Sequence, residues 1–152
     1  MALKNTYSEV PVDRIIQTIQ KTLVNHKAKQ LMFEYGDGGR IYSLTFSLEI
    51  NKKLHAFKLP ARTKNVEHIL YGTRSLIPTQ KEQAYRTAWA NIRDWISAQM
   101  ALIETGMVKF EEVFLPYMVS HSGQTYFETL EQNQFQLESG KPLAGEIIEP
   151  DR

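Results

Sequence analysis

The stretch Lys81–Gly106, KEQAYRTAWANIRDWISAQMALIETG, narrows the architectures open to this chain more than any other segment. It is the longest run without proline or internal glycine, and it carries both tryptophans, Trp89 and Trp95. Tyr85, Ala88, Trp89, Ile92, Trp95, Ile96, Leu102 and Ile103 recur at steps of three and four, with Gln99 interrupting the stripe. That is the period of one helical face. Thr79 is placed to cap the start, with Glu82 as its capping-box partner, and Gly106 suits the left-handed position just past the end. A helix with so aromatic a stripe needs a broad apolar surface to lie on.

The segment Ile41–Ile50 supplies one. Apolar residues at 42, 44, 46, 48 and 50 alternate with Ser43, Thr45, Ser47 and Glu49, the period of a strand with one buried face and one wet face. Before it, Leu31–Tyr35 reads as a short strand, and Gly36-Asp37-Gly38-Gly39-Arg40 as a hairpin loop. After it, Asn51-Lys52-Lys53 reads as a tight turn and Leu54–Leu59 as a third strand ended by Pro60. Upstream, Val12, Ile15, Ile16, Ile19, Leu23 and Val24 mark a helix from Pro11 to about His26–Ala28, preceded by an irregular residue 1–10 segment. Asn65–Tyr71 reads as a short helix capped by Asn65 and stopped by Gly72. Met107–Leu115 is expected to form a helical turn or two closed by Pro116, and Gln124–Glu131 a last short helix. The expected fold is α+β: a three-stranded antiparallel meander sheet packed against helices, the long one central. Residues 1–134 are expected to form one domain and 135–152 a polar, flexible tail.

Composition excludes several chemistries. The absence of cysteine removes disulfides, thiolate zinc sites, iron–sulfur clusters and a Cys nucleophile. No apolar run approaches the roughly 20 residues of a membrane span, and the N-terminus lacks the apolar core of a signal peptide, so a cytoplasmic location is expected. Among His26, His55, His68 and His121 there is no pair at helical ligand spacing and no His-Glu-x-x-His, so no metal is expected. His55 shares a strand face with Phe57 and Leu59 and reads as a packed core or edge histidine. Ser120-His121-Ser122 lacks the strained turn that aims a nucleophile at its base. Glu111 and Glu112 point about 100° apart on a helix and do not share a site. The glycine-rich loop lies between strands and lacks the Gly-Lys-Ser/Thr of a phosphate-binding loop. Neither a cofactor nor an enzymatic activity is expected.

The net charge of +1 conceals a strong polarity. Residues 52–93 hold nine Lys/Arg against Glu67 and Glu82, whereas residues 94–152 hold three against ten acidic residues. A basic stretch of this kind neutralises phosphates without a motif, and interleaved aromatics can stack on bases. The candidate nucleic-acid-binding residues are therefore Lys52, Lys53, Lys58, Arg62, Lys64, Arg74, Arg86 and Arg93. Arg86 and Arg93 lie two helical turns apart, on one side of the long helix, and Tyr85 and Trp89 lie on the adjoining face.

The order helix, three strands, helix resembles that of the double-stranded RNA-binding domain over about the first 100 residues, a family that clamps phosphates with a lysine-rich helix start. Here the corresponding start, Thr79-Gln80-Lys81-Glu82-Gln83, has one lysine and one glutamate, so no binding residue carries over. The run AYRTAWANIRDWISAQMALIETGMVKFEEVFLPYMV is similar to a stretch of small uncharacterised proteins in bacterial, phage and mobile-element genomes, the likeness spanning Phe33 to Val119. It implies a bacterial or phage origin and no established activity.

The leading expectation is a non-catalytic module that binds DNA or RNA through the basic 52–93 region. The alternative is a phage or mobile-element accessory protein that binds and modulates another protein through its acidic C-terminal part, with Glu111, Glu112 and Glu128 as contacts. That alternative expects a protein partner in pull-down that is lost on charge reversal at these three positions, and retention of the partner by the reversed variant would sink it. An enzyme acting on a small polar substrate ranks last.

Overall fold

A computed structural model describes residues 3–135. Eight elements follow one another: α1 (Val12–Asn25), β1 (Gln30–Tyr35), β2 (Ile41–Ile50), β3 (Lys53–Pro60), α2 (Thr63–Tyr71), α3 (Pro78–Glu104), α4 (Phe110–Phe114) and α5 (Tyr126–Gln132). The strands form one antiparallel sheet in the order β1-β2-β3. This is the expected α+β meander with a long central helix. Of the tail expected over residues 135–152, all but Phe135 lies outside the described residues.

Helices cover one face of the sheet. Leu44 and Phe46 of β2 and Phe57 and Leu59 of β3 are buried with Ile15, Ile19 and Leu23 of α1 and Trp89, Ile96 and Met100 of α3. The aromatic members meet edge to face: Phe114 of α4 lies 5.7 Å from Phe46 and 5.3 Å from Trp95, ring centre to ring centre. Such pairs each add about 0.5–1.5 kcal/mol to the burial of the rings. α1 and α2 both pack along α3, whose buried residues share one core with β2 and β3.

Helix ends were only partly legible. α3 begins at Pro78, not after a Thr79 cap: proline presets the helical φ at the first position, and Gln80 Oε1 accepts from the Ile77 N–H at 3.1 Å. α2 begins at Thr63 rather than after Asn65, with no side-chain cap. At the far end of α3 the expectation for Gly106 holds. With φ 76° it sends its N–H to the Ile103 carbonyl, and Met107 reaches Leu102, which together close the last turn. The β2–β3 turn places Asn51 and Lys52 at φ 51° and 66°. These left-handed values match the twist of a two-residue hairpin, although a lysine there is strained by about 1 kcal/mol.

The largest departure lies at the start of β2. The β1–β2 register runs Glu34 to Ser43 and then Tyr35 to Ile41, so Tyr42 is an extra residue, a β-bulge. A bulge re-aims a side chain. Tyr42 leaves the apolar row to which its spacing assigned it and is 45% exposed, while Ile41 takes the buried place. Tyr42 and Ser43 now both donate to the Glu34 carboxylate, each at 2.8 Å. The face expected to be wet is also not uniformly so, because Ser43 and Ser47 are buried among their cross-strand neighbours.

Two side chains of α3 hold the bulged end in place. Tyr85 Oη accepts from the Ile41 N–H at 2.8 Å, and Trp89 Nε1 donates to the Ile41 carbonyl at 3.1 Å. One strand residue thus has both backbone groups satisfied by the central helix. Tyr85→Phe keeps the ring but leaves the buried Ile41 N–H without this acceptor. Urea unfolding should register a loss of about 1–3 kcal/mol, and an unchanged midpoint would show that the bond contributes nothing.

A basic groove and an adjoining cavity

The eight sequence-nominated cations do not form one face. Arg86 and Arg93 are occupied in fastening the N-terminal segment along α3. Arg86 donates to the Ser8 carbonyl at 3.3 Å and to Gln83 Oε1 at 2.6 Å, and pairs with Glu82. Gln83 reaches the Thr6 and Ser8 carbonyls, and Thr87 reaches the Asn5 carbonyl. Further along, Asp94 gathers Arg93 at 3.0 Å, Lys4 at 3.1 Å and the Asn5 amide at 2.9 Å. The segment that reads as irregular in sequence is therefore a strap, held mainly by polar bonds, with Val10 packed against the core.

Lys58 is also engaged, its ammonium lying 3.2 Å from Glu34 on the face of the sheet opposite the helices. Lys52 and Lys53 occupy the β2–β3 turn, a strand length of about 25 Å from the other end of β3. The remaining three do come together. Arg62 and Lys64 border a groove of about 840 Å³ between the 36–40 loop and the starts of α2 and α3. Arg40 and Lys81 line the same groove. A second depression of about 350 Å³ continues it past Lys64 and Lys81 to Arg74. Arg40 is anchored there by Glu82 at 3.4 Å and by the Tyr85 ring at 5.5 Å. Among the described residues Arg62, Lys64, Arg74 and Lys81 make no ion pair, while Asp37 and Glu67 are the carboxylates bordering the groove.

A smaller cavity of about 340 Å³ adjoins the groove, and Tyr42 and Arg62 belong to both. Its existence depends on the chain after α4. Met118 and Val119 pair with the edge of β3, the Val119 N–H reaching the Ala56 carbonyl at 2.8 Å, and Val119 in turn pairs with Thr125. This ribbon carries α5 to the rim of the open sheet face. Thr125 caps α5 in a full capping box: its hydroxyl accepts from the Glu128 N–H, and Glu128 Oε1 accepts from the Thr125 N–H and hydroxyl. Pro60, Pro116, Tyr117 and Phe127 form the apolar wall.

Electrostatics separates the two hollows. The Thr125 N–H and hydroxyl hold Glu128 below the usual carboxylate range, against some desolvation, with help from Lys58 and Arg62. Glu34 is likewise lowered, first by Ser43 and then by Tyr42 and Lys58. Glu128 on the cavity wall and Glu34 beside Lys58 are therefore both ionised, whereas cations predominate along the groove.

The acidic residues of the alternative reading are divided as well. Glu111 and Glu112 are exposed on α4, whose Phe110 and Phe114 pack on the helix-covered face. Glu128 caps α5 on the other side of the sheet, beside the cavity. Among the described residues no group of three His, Asp or Glu side chains is arranged to hold a metal ion, and no helix is long and apolar enough to cross a membrane. Comparison with known proteins finds no matching family model, no matching curated protein and no matching solved structure.

Sequence reasoning nominates Lys58, Arg62 and Glu128 of the cavity lining but misses Arg40 and the rest of that lining. Arg40 lies outside the basic run, and Tyr42 was assigned to the buried face because a bulge leaves no mark in an alternating pattern. Lys81 belonged to the basic run, but only the fold of α2 against α3 brings it beside Lys64.

Asp94 offers a pH test of the strap. Desolvation raises its pKa, but the Asn5, Arg93 and Lys4 bonds outweigh that and bring it to about 2, from 3.8. A depressed folded-state pKa stabilises above the unfolded value and is lost as pH falls through the folded one. The advantage of the wild type over Asp94→Asn should be about 2 kcal/mol above pH 4 and vanish near pH 2. A difference independent of pH in urea unfolding would refute the assignment.

Proposed function

We propose that this protein binds the phosphate backbone of a nucleic acid along the groove bordered by Arg40, Arg62, Lys64, Arg74 and Lys81. The observation that carries this reading is the convergence of four cations from separate segments on one continuous depression, with no ion pair among the described residues to neutralise them. Unpaired cations spaced along a groove repel one another, and a polyanion relieves that repulsion while releasing its own condensed counterions. The groove is open and elongated rather than enclosed, which suits a chain of phosphates better than a single small anion. The reading narrows the basic region from a stretch of sequence to one end of the molecule. It leaves Lys52 and Lys53 outside the contact, and gives Arg86 and Arg93 a supporting part in holding the strap.

Fluorescence anisotropy with a labelled oligonucleotide tests it. Binding should weaken steeply between 50 and 200 mM salt, on the scale of 10-fold or more for several phosphates engaged. Lys64→Ala and Lys81→Ala should each reduce the slope of log affinity against log salt by about 1, whereas Lys53→Ala should leave it unchanged. Absence of binding at low salt, or equal effects of all three substitutions, would refute the reading.

A further inference from the structure

We infer that the nucleic acid is single-stranded, and that the cavity beside the groove receives one unstacked base. This deepens the phosphate-binding reading and rests on it. The cavity and the groove share Tyr42 and Arg62, so a strand whose phosphates follow the groove passes the cavity mouth at Arg62. The guanidinium of Arg62 makes no hydrogen bond or ion pair among the described residues, which leaves its planar fork available for a phosphate at that junction.

The cavity itself suits a base rather than a phosphate. Lys58 is already paired with Glu34, and Glu128 adds a second ionised carboxylate beside Lys58 and Arg62, so the cavity carries no excess positive charge to hold a phosphate. A base is neutral and planar. Pro60, Tyr117 and Phe127 offer flat apolar walls, and about 340 Å³ falls within the range of small-ligand pockets. Phe127 is 40% exposed, and beyond the cavity its aromatic neighbour is Phe135 at 5.9 Å. Glu128 Oε1 is taken by Thr125, and Oε2 has no partner among the described residues, so it is free to accept from the amino group of a base. The Glu34 cluster keeps Tyr42 and Ser43 turned to this side of the sheet before any ligand arrives.

A duplex presents no unstacked base unless one is flipped out against its stacking and pairing. A single strand has no pairing to break and presents one at a smaller cost. The geometry therefore discriminates between strands and duplexes, even though the groove alone does not. The same stacking geometry serves a DNA or an RNA strand.

The test uses the full chain and a labelled 12-mer in three forms: single-stranded DNA, the RNA strand of the same sequence, and the DNA duplex. At one salt concentration either strand should bind at least 10-fold more tightly than the duplex. Phe127→Ala should weaken strand binding roughly 5- to 100-fold and leave duplex binding unchanged, and Phe127→Trp should restore it. Because the strand-to-duplex ratio is measured on the wild type, it stands even if a variant folds poorly. Equal affinity for strand and duplex, still reduced by Lys64→Ala, would overturn the base cavity and leave the groove standing. No binding to any of the three would overturn both. Preference for the DNA or the RNA strand over the other, with both above the duplex, supports the inference and identifies the source of the strand.

Discussion

The backbone of Ile41 is the point on which the rest of this fold depends. A β-bulge breaks the β1–β2 ladder at this point, so the strand end needs hydrogen-bond partners from elsewhere. Tyr85 and Trp89, one turn apart on α3, supply both an acceptor and a donor. The same two rings are buried in the core, so the bonds form where water does not compete. Burial also raises the Tyr85 pKa, chiefly by desolvation, which keeps the hydroxyl neutral. Sheet and central helix are thus joined by packing over their length and by directed polar bonds at one end. The bulge is tolerated because the helix satisfies what it leaves open.

The functional surface follows from that local arrangement. By turning Tyr42 outward, the bulge gives Glu34 two hydroxyl donors and sets up the polar floor on the side of the sheet opposite α1 and α3. The ribbon at the β3 edge then brings α5 alongside, and the hollow between them becomes a cavity. At the same end, α2 folds back on α3 and draws Lys64 and Arg74 to Lys81. Groove and cavity have separate origins in the chain but meet at Tyr42 and Arg62. Their charge differs because carboxylates at Glu34 and Glu128 balance the cavity, while the groove cations stay largely uncompensated.

Charge in sequence proved a coarse guide to charge on the surface. Nine basic residues in one stretch led to eight candidates, yet a cation whose charge a carboxylate already offsets has less to offer a phosphate. Glu34, Glu82 and Asp94 hold Lys58, Arg86 and Arg93. Asp94 and Lys4 are 90 positions apart in the chain, so no local pattern announces their pairing. Arg40 illustrates the converse: isolated in sequence, it joins the groove because the hairpin loop folds over the start of α3.

The sequence alone determined the elements and their kinds. A helical stripe in Lys81–Gly106, a two-residue alternation in Ile41–Ile50 and glycine or proline at the boundaries are local properties, and burying such stripes on one another left one arrangement of sheet and helices. Gly106 ends its helix as expected because its requirement, a positive φ, is also local. Tertiary structure alone decided the bulge at Tyr42, the polar strap and the meeting of Arg62, Lys64, Arg74 and Lys81. The bulge and the strap depend on hydrogen bonds or ion pairs between residues far apart in the chain, and the meeting of the cations on α2 packing back against α3; periodicity carries no information about which distant partner a group will find.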